Sequence, residues 1–249
     1  MTMSDDRAVR VWASVGQQAE GRRPSVTHVC AAAVARVGVD GVGLSIMVSP
    51  ILRETMYATD RTATELEELQ LTFGEGPCVD TFTTGWPVLV ADLRATGYET
   101  RWPAFTPAAL RCGATAMFAL PLRLGHLRLG AIDLYRAQPG LLDPDELADA
   151  LVFAHAAGVV LLDTAARLEP DTAAMAWPPA VALADQALVH QATGMVSVQL
   201  GVSVETAFIR LRAFAYANDQ PLSQVAATVV HRRLRFDPDP VPETPPLPG

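Results

Sequence analysis

The sequence predicts an α+β domain with an antiparallel sheet, followed by a small all-α module. Two observations predict the first part. Several short segments alternate apolar and polar residues with the two-residue period of a strand, and two of these segments are separated only by Gly125 and His126. The second part is predicted by three helical patterns with almost no chain between them, from Asp185 to Phe236. A chain of 249 residues accommodates two such units.

Composition excludes several classes of protein. The three cysteines form no CxxC pair and the five histidines show no paired spacing, so neither a disulfide framework, a zinc site nor any other metal site is predicted. No cofactor motif is present either. The amino terminus lacks the apolar core of a signal peptide, and the most apolar run, LADALVFAHAAGVVLL, is interrupted by Asp149 and His155. We therefore expect no membrane span and a cytoplasmic location.

The first half of the chain opens with a segment, residues 1–23, in which a short amphipathic helix is predicted as either a dimer element or a flexible lead-in. An Ala-rich helix follows Pro24, and Asp40-Gly41 signals a turn before the first strand. Another helix is predicted at ATELEELQL. Five strands are predicted in all: GLSIMVS, ETMYATD, Val88–Leu93, ATAMFALPLRL and LRLGAIDLYRA.

A long helix closes the first domain. Asp143 is a suitable N-cap and Pro144 suits the first helical position, so a helix is predicted from Asp145 to about Leu168. Its apolar face is predicted to include Leu147, Leu151, Ala154, Gly158 and Leu161. Residues 169–180 form a Pro-punctuated linker, and the Pro-rich acidic tail, residues 237–249, is predicted to be disordered.

The C-terminal module differs from the rest in charge. It carries five arginines against three acids, whereas the whole chain has a net charge of −8. Its first helix is predicted to bury Ala184, Leu188, Ala192, Met195 and Gln199, and its second begins at the N-cap Ser203. The third carries Leu222, Val225, Ala226 and Val229 and is predicted to end in the arginines from Arg232 on. A small basic excess fits either a nucleic-acid-binding module or an ordinary three-helix bundle.

Resemblance separates these alternatives. HQATGMVSVQLGVSVETAFIRLRAFA followed by LSQVAATVV resembles the ANTAR domain, the three-helix RNA-binding module of bacterial antitermination regulators. The resemblance rests on Gln191-Ala192, Gly194, Leu211-Arg212 and Val225-Ala226. Two positions depart from the family pattern: Thr193 replaces a usual Lys, and Thr206 a common acid. The departure at Thr193 removes a cation from a position expected to face RNA.

The predicted RNA-binding residues follow from side-chain chemistry together with this resemblance. Arginines contact phosphates and stack on bases, Gln and Thr hydrogen-bond base edges, and Tyr stacks. Ala192 and Gly194 are assigned to close helix packing instead. The predicted RNA-binding set comprises Gln191, Thr193, Arg210, Arg212, Tyr216, Arg232 and Arg233.

The first domain also resembles a known family. GEGPCVDTFTTGWPVLVADL, RWPAF, CGATAMFALPLR and LGAIDLYRAQPGLLDPDEL are similar to the GAF domains that precede ANTAR in actinobacterial regulators. The resemblance implies a GAF domain over 24–168, with a six-stranded antiparallel sheet, helices on one side and a cup for an unknown small ligand on the other. An ANTAR domain then spans 181–236. Together they imply a dimeric, signal-responsive antitermination regulator that binds RNA hairpins and is not an enzyme.

Two other functions remain open at this stage. One is a DNA-binding regulator that uses the C-terminal helices as a helix-turn-helix; its best basic residues lie at the wrong end of the third helix for base reading. The other is a GAF-type methionine sulfoxide reductase using Cys78 and Cys112, although a buried structural role is the commoner one for cysteine. The Gly74-to-Pro77 stretch is predicted to be a tight turn and not a phosphate loop, because no Lys or GxGxxG pattern accompanies it.

Overall fold

The structure is a computed structural model that describes residues 3–49, 53–167 and 184–237. The chain divides into two compact units, residues 1–187 and 188–249. The predicted linker 169–180 and tail 238–249 lie outside the described residues.

The first unit contains one antiparallel sheet with the strand order β2-β1-β5-β4-β3. The sequence patterns predicted these five strands, and the sixth strand implied by the family resemblance is absent from the described residues. The elements run α1 (Met3–Ala19), α2 (Val26–Val37), β1 (Gly41–Met47), β2 (Arg53–Ala58), α3 (Arg61–Phe73), α4 (Pro77–Thr84), β3 (Val88–Val90), α5 (Tyr98–Arg101), α6 (Phe105–Arg111), β4 (Ala116–Leu124), β5 (Leu127–Arg136) and α7 (Pro144–Ala166).

Local chemistry defines the ends of these elements. Asp143 caps α7 and forms a reciprocal capping box with Glu146, and Pro144 occupies the first turn, as predicted. Asp60 caps α3, whose other end is closed by Gly74 in the left-handed region, at a φ of 67°. The turn predicted from Gly74 to Pro77 is confirmed, because α4 begins directly after it at Pro77.

The two faces of the sheet differ sharply. One face packs against α2 and α7 through an apolar core that includes Leu44, Phe118, Ile132 and Phe153, and α1 packs on these two helices. The other face packs against α3, α4 and α6. There an apolar cluster around Trp102 and its neighbours occupies one part, and buried polar residues occupy another. Helices therefore cover both faces, whereas the family resemblance had implied helices on one side only.

The amino-terminal segment is a helix that packs on the domain. Val11 and Val15 of α1 are fully buried in the apolar core. Arg7 donates hydrogen bonds to Asp145 and Asp149 of α7, at 2.6 and 2.5 Å. Of the two predicted roles, the flexible lead-in is wrong.

Helix α7 is long and mostly apolar. On length and composition it could cross a membrane, as could the helices Ala187–Leu200 and Val204–Ala217 if taken as one span, although these two are bent by 106°. The core helix of a soluble protein passes the same test, so the expectation of no membrane span stays a prediction. Half of the apolar window of α7 is buried within the domain, and contacts to α2 and β4 account for that burial. Leu151 was predicted on the buried face but is 42% exposed.

The second unit is built from α8 (Ala184–Leu200), α9 (Val204–Ala217) and α10 (Leu222–Val230). Ser203 caps α9 as predicted, since its hydroxyl accepts the Thr206 N–H. The prediction of the buried face of the third helix is confirmed, because its four predicted apolar residues are all fully buried. Its end was placed too far: α10 stops at Val230, so Arg232, Arg233 and Arg235 follow the helix and do not form its last turn.

The register of α8 also differs from the prediction. The buried residues of its described part are Val189, Ala192, Thr193 and Val196, whereas Leu188 and Met195 are only partly buried. The core-facing stripe is thus rotated by about one residue, or about 100°. A weakly amphipathic, Ala- and Val-rich helix leaves its orientation to the packing partners, which is why periodicity alone misplaced it.

Candidate ligand and RNA sites

The first candidate site is a buried polar cluster on the α3 and α4 side of the sheet. Alternation along the strands brings it together: Ser45 of β1 lies opposite Thr55 of β2, Met47 opposite Arg53, and Gly43 opposite Asp133 of β5. Helix α3 contributes Glu67 and Gln70 from above, and α4 contributes Cys78. The polar members of the cluster are at most 6% exposed, whereas the residues buried on the opposite face of the sheet are apolar.

Hydrogen bonds fix most of the cluster. Ser45 Oγ donates to Glu67 Oε2 at 2.5 Å, and Gln70 Nε2 donates to Asp133 Oδ2 at 2.7 Å. The backbone N–H of Cys78 donates to Gln70 Oε1 at 2.8 Å. One glutamine amide therefore joins the start of α4 to the carboxylate on β5, so its donor and acceptor are both used.

Three buried polar atoms have no hydrogen-bond partner in the described chain: Asp133 Oδ1, Arg53 Nε and Arg53 Nη1. Arg53 uses only Nη2, which donates to the Glu67 backbone carbonyl and lies 3.9 Å from Glu67 Oε2. The Glu67 carboxyl and the Cys78 thiol are the two neighbouring groups that could donate a proton to the Asp133 carboxylate. Unsatisfied buried polar atoms are costly, so they mark a place where a ligand or ion could complete the site.

Burial dominates the electrostatics of the cluster. It raises the pKa of Asp133 well above its ordinary value, and the charge of Glu67 raises it further. Burial likewise raises the pKa of the Cys78 thiol well above its ordinary value, with a further contribution from Asp133. Perturbed groups gathered in one place are typical of functional sites.

The cluster packs closely against the backbone of two glycines. A Cβ atom at Gly43 would lie 2.4 Å from Glu67 Oε1, and one at Gly76 would lie 2.6 Å from Gln70 Oε1. Gly76 also has a φ of 130°, which side-chain-bearing residues rarely adopt. Gly43 of β1 therefore leaves room for Glu67, and Gly76 of the predicted tight turn leaves room for Gln70.

The thiols do not resemble a reductase site. Cys78 is completely buried, its sulfur lies 3.8 Å from the Met47 sulfur, and its raised pKa disfavours the nucleophilic thiolate. Cys112 is partly buried at the end of α6, and burial raises its pKa as well. Both are free thiols. A redox role for Cys78 and Cys112 gains no support from this arrangement.

The second candidate site is the solvent-facing side of α9. Arg212 and Tyr216 are one helical turn apart and lie on the same side of the helix. Tyr216 is 60% exposed, and the Arg212 guanidinium lies 5.9 Å from the Phe208 ring. Arg212 is half-buried, whereas Arg210 is exposed, and a separation of two residues turns Arg210 about 160° away from Arg212. The predicted pair of arginines therefore does not form one surface.

Two predicted roles on α8 need correction. Thr193 is 3% exposed and its hydroxyl donates to the Val189 carbonyl at 2.7 Å, so this position faces the bundle core and not RNA. Gly194 is exposed, and a Cβ atom there would meet nothing within 4 Å, so close helix packing does not explain it. Gln191 is exposed on the same helix. The open backbone at Gly194 is thus available on the surface next to Gln191.

A basic segment follows α10. Arg232, Arg233 and Arg235 are all exposed, and Arg232 takes the left-handed conformation at the helix end with a φ of 58°. Phe236, at the C-terminal end of the segment, packs against α9: its ring centroid lies 5.4 Å from that of Phe214. The Phe236 N–H also donates to Gln199 Oε1 at 3.0 Å. These contacts hold the arginines against the three-helix unit.

Comparison with known families agrees with both units. The GAF domain model matches residues 23–161, more than half of the chain. The chain belongs to the GAF domain family. The ANTAR domain model matches residues 180–230. The chain therefore combines a GAF domain with an ANTAR domain, the two domains of a signalling and transcription-regulating protein.

Solved structures that resemble the GAF domain are distant in sequence. The GAF domain of a phosphoenolpyruvate-protein phosphotransferase from Coxiella burnetii is 13% identical, with a TM-score of 0.47 over 67% of this chain and 98% of its own. The LuxR-family transcription factor CepR2 from Burkholderia cenocepacia, which depends on an N-acylhomoserine lactone, is 19% identical, with a TM-score of 0.45 over 65% and 98%. Likeness at this level carries no information on ligand or activity. No relative among curated proteins matches the chain.

Sequence reasoning missed most of the polar cluster in the GAF domain. No acidic residue stands near Asp133 in the sequence, and Glu67 lies within the helix predicted at ATELEELQL, so nothing in the sequence indicates that the two meet. The two carboxylates meet only because β5 and α3 face each other across the fold. The available signal was a polar residue at an inward position of an otherwise apolar strand, as at Asp133 in GAIDLY.

Proposed function

We propose that the chain is a signal-responsive RNA-binding regulator of transcription antitermination. The GAF domain senses a small ligand, and the ANTAR domain binds RNA hairpins that compete with a terminator. The ANTAR match over residues 180–230 carries the proposal, and the exposed side of α9 supplies the chemistry. Arg212 offers a cation and Tyr216 a stacking ring one turn apart, the combination that suits unpaired bases of an RNA loop. A regulator of this kind acts in the cytoplasm and needs no catalytic residue.

The basic segment completes the proposed RNA surface. Its arginines are held to the unit by Phe236 and add positive charge without base specificity. Arg212, Tyr216 and Gln191 are therefore assigned to loop recognition, and Arg232 and Arg233 to phosphate contacts. Arg210 lies on another side of α9, and Thr193 is withdrawn from the set because it is buried.

DNA recognition is the weaker alternative. A recognition helix presents polar side chains to base edges. The residues of α10 are mainly buried or half-buried, and Gln224 is its one fully exposed residue. This surface supports RNA binding through α9 better than insertion of α10 into a groove.

The test is a gel-shift titration of the full chain against a pool of structured RNA hairpins at fixed salt, with duplex DNA of matched length as the competitor. Arg212→Ala is expected to weaken RNA binding by about 10-fold or more, corresponding to the loss of about 1–3 kcal/mol of stacking and charge contacts. Arg61→Ala is the matched control, because Arg61 is a 92% exposed arginine of the GAF domain. Equal weakening in both variants, or equal affinity for DNA, would contradict the proposal.

A further inference from the structure

We propose that Glu67, Cys78 and Asp133 bind one divalent transition-metal ion of the zinc type inside the GAF domain. The inference deepens the sensing role proposed above, since it gives the chemical class of what this domain holds. It departs from the sequence-based prediction of no metal site.

The three residues form a compact ligand set. One oxygen from each carboxylate and the Cys78 sulfur all lie within 4.8 Å of one another, and all three residues are buried. They come from α3, α4 and β5, three elements that the fold holds against each other. Small shifts of the side chains would bring these atoms to metal–ligand distances of about 2.0–2.3 Å.

A second observation points to a missing partner at the same place. Asp133 is 5% exposed, and its Oδ1 accepts no hydrogen bond from any donor in the described chain. The other oxygen, Oδ2, is already held by Gln70 at 2.7 Å. This arrangement is typical of a metal ligand whose orientation is fixed by a neighbouring hydrogen bond while the remaining oxygen is left for the ion.

Glu67 is oriented in the same way, because Ser45 donates to its Oε2. Its carboxylate also lies directly against Gly43 of β1, where a side chain would leave no room for it. The N–H of Cys78 is held by the same Gln70 that orients Asp133. Each of the three ligands therefore has a supporting contact outside the set.

Charge favours a divalent cation. The two carboxylates, the thiolate and the adjacent Arg53 sum to −2, which one divalent ion neutralises. On binding, the ion forms bonds to one sulfur and two oxygens, and the thiol proton and the proton shared by the carboxyl groups pass to solvent. No electron is transferred.

The ligand atoms also indicate the kind of metal. Calcium and magnesium prefer oxygen ligands alone, whereas a thiolate selects softer ions such as zinc or cobalt. Three protein ligands leave a fourth position for water or a small anion. Arg53, whose Nη2 lies 3.9 Å from Glu67 Oε2, has two further N–H groups without a partner in the described chain, and these are suited to hold such a ligand.

The decisive experiment uses the full chain after treatment with a chelator. Titration with Co²⁺ is expected to give a near-ultraviolet thiolate-to-cobalt band that saturates at one equivalent and is abolished by added Zn²⁺. Cys78→Ser should lose the band and Asp133→Asn should weaken Co²⁺ affinity by at least about 10-fold. Cys112→Ser is the matched control and should keep the band, because Cys112 lies in α6, outside the cluster.

Several results would overturn the inference: no thiolate band in the wild-type protein, a band that persists in Cys78→Ser, or loss of the band in Cys112→Ser instead. The wild-type spectrum decides even if a variant fails to fold, which circular dichroism would reveal. The readout does not involve RNA, so failure here leaves the RNA-binding proposal standing. Failure of the Arg212 test likewise leaves the metal site untouched.

Discussion

At the scale of single residues, burial decides which acids behave unusually. Glu54 of β2 is 6% exposed, and its burial raises its pKa from 4.5 to about 7. The folded state therefore holds this proton more tightly than the unfolded state. Its contribution to stability is fully present below about pH 4.5 and is lost as the pH rises through 7.

Glu54→Gln should remove this penalty. We expect the variant to be more stable than wild type at pH 8 by about 1–3 kcal/mol, and nearly equal to it at pH 4.5, because the amide mimics the protonated acid. Urea unfolding at the two pH values measures the difference. Glu20→Gln, at a side chain that is 79% exposed, is the control and should change stability little at either pH. A gain at pH 4.5 as large as that at pH 8 would contradict this assignment.

The residue scale is also where the sequence was least informative. Binary patterning located the strands and their apolar residues, but it could not show that Glu67, Cys78 and Asp133 converge, because their distances along the chain carry no such signal. Thr193 was assigned to the surface from family spacing, yet packing of α8 placed it in the core. Patterning gives the face of a strongly amphipathic segment, and the orientation of a weakly amphipathic one depends on its neighbours.

At the scale of elements, caps and turn residues were predictable because their chemistry is local. The N-caps Ser203 and Asp143, the turn at Gly74 and the hairpin at Gly125 all occur where the sequence placed them. The position of α1 could not be predicted in this way, since it depends on a three-way contact. Asp149 of α7 accepts from Arg7 of α1 at 2.5 Å and from Arg36 of α2 at 2.7 Å.

Removing Asp149 should therefore loosen α1. Asp149→Ala leaves two partly buried arginines without their shared anion and is expected to cost about 3 kcal/mol. Asp145→Ala is the matched control, because the Asp145 side chain is 88% exposed and its pair with the same Arg7 should contribute less than about 1 kcal/mol. Thermal unfolding, combined with hydrogen exchange of α1, measures both effects. Equal losses in the two variants would show that burial of Asp149 is not what matters.

At the scale of the whole molecule, several large apolar side chains of the GAF domain are exposed. Leu151 and Leu162 on α7 are 42% and 37% exposed, and Trp86 is 71% exposed. Trp86, Leu151 and His155 line one shallow groove. Grouped apolar side chains on a surface are typical of an interface. We infer that a second copy of the chain covers this face, which places the expected homodimer on α7.

Leu151→Arg tests this arrangement because it introduces a charge at the centre of the inferred interface while the side chain remains able to point to solvent in the monomer. We expect wild type to have twice the mass of one chain by light scattering at micromolar concentration, and the variant to have the mass of one. Val9→Arg is the control: Val9 is an equally apolar but isolated residue that is 67% exposed on α1. It should leave the dimer intact.

A wild-type mass equal to one chain would refute the dimer, whereas a dimer that survives Leu151→Arg but not Val9→Arg would move the interface to α1. Gel shifts with the monomeric variant then show whether two ANTAR domains are needed for one RNA.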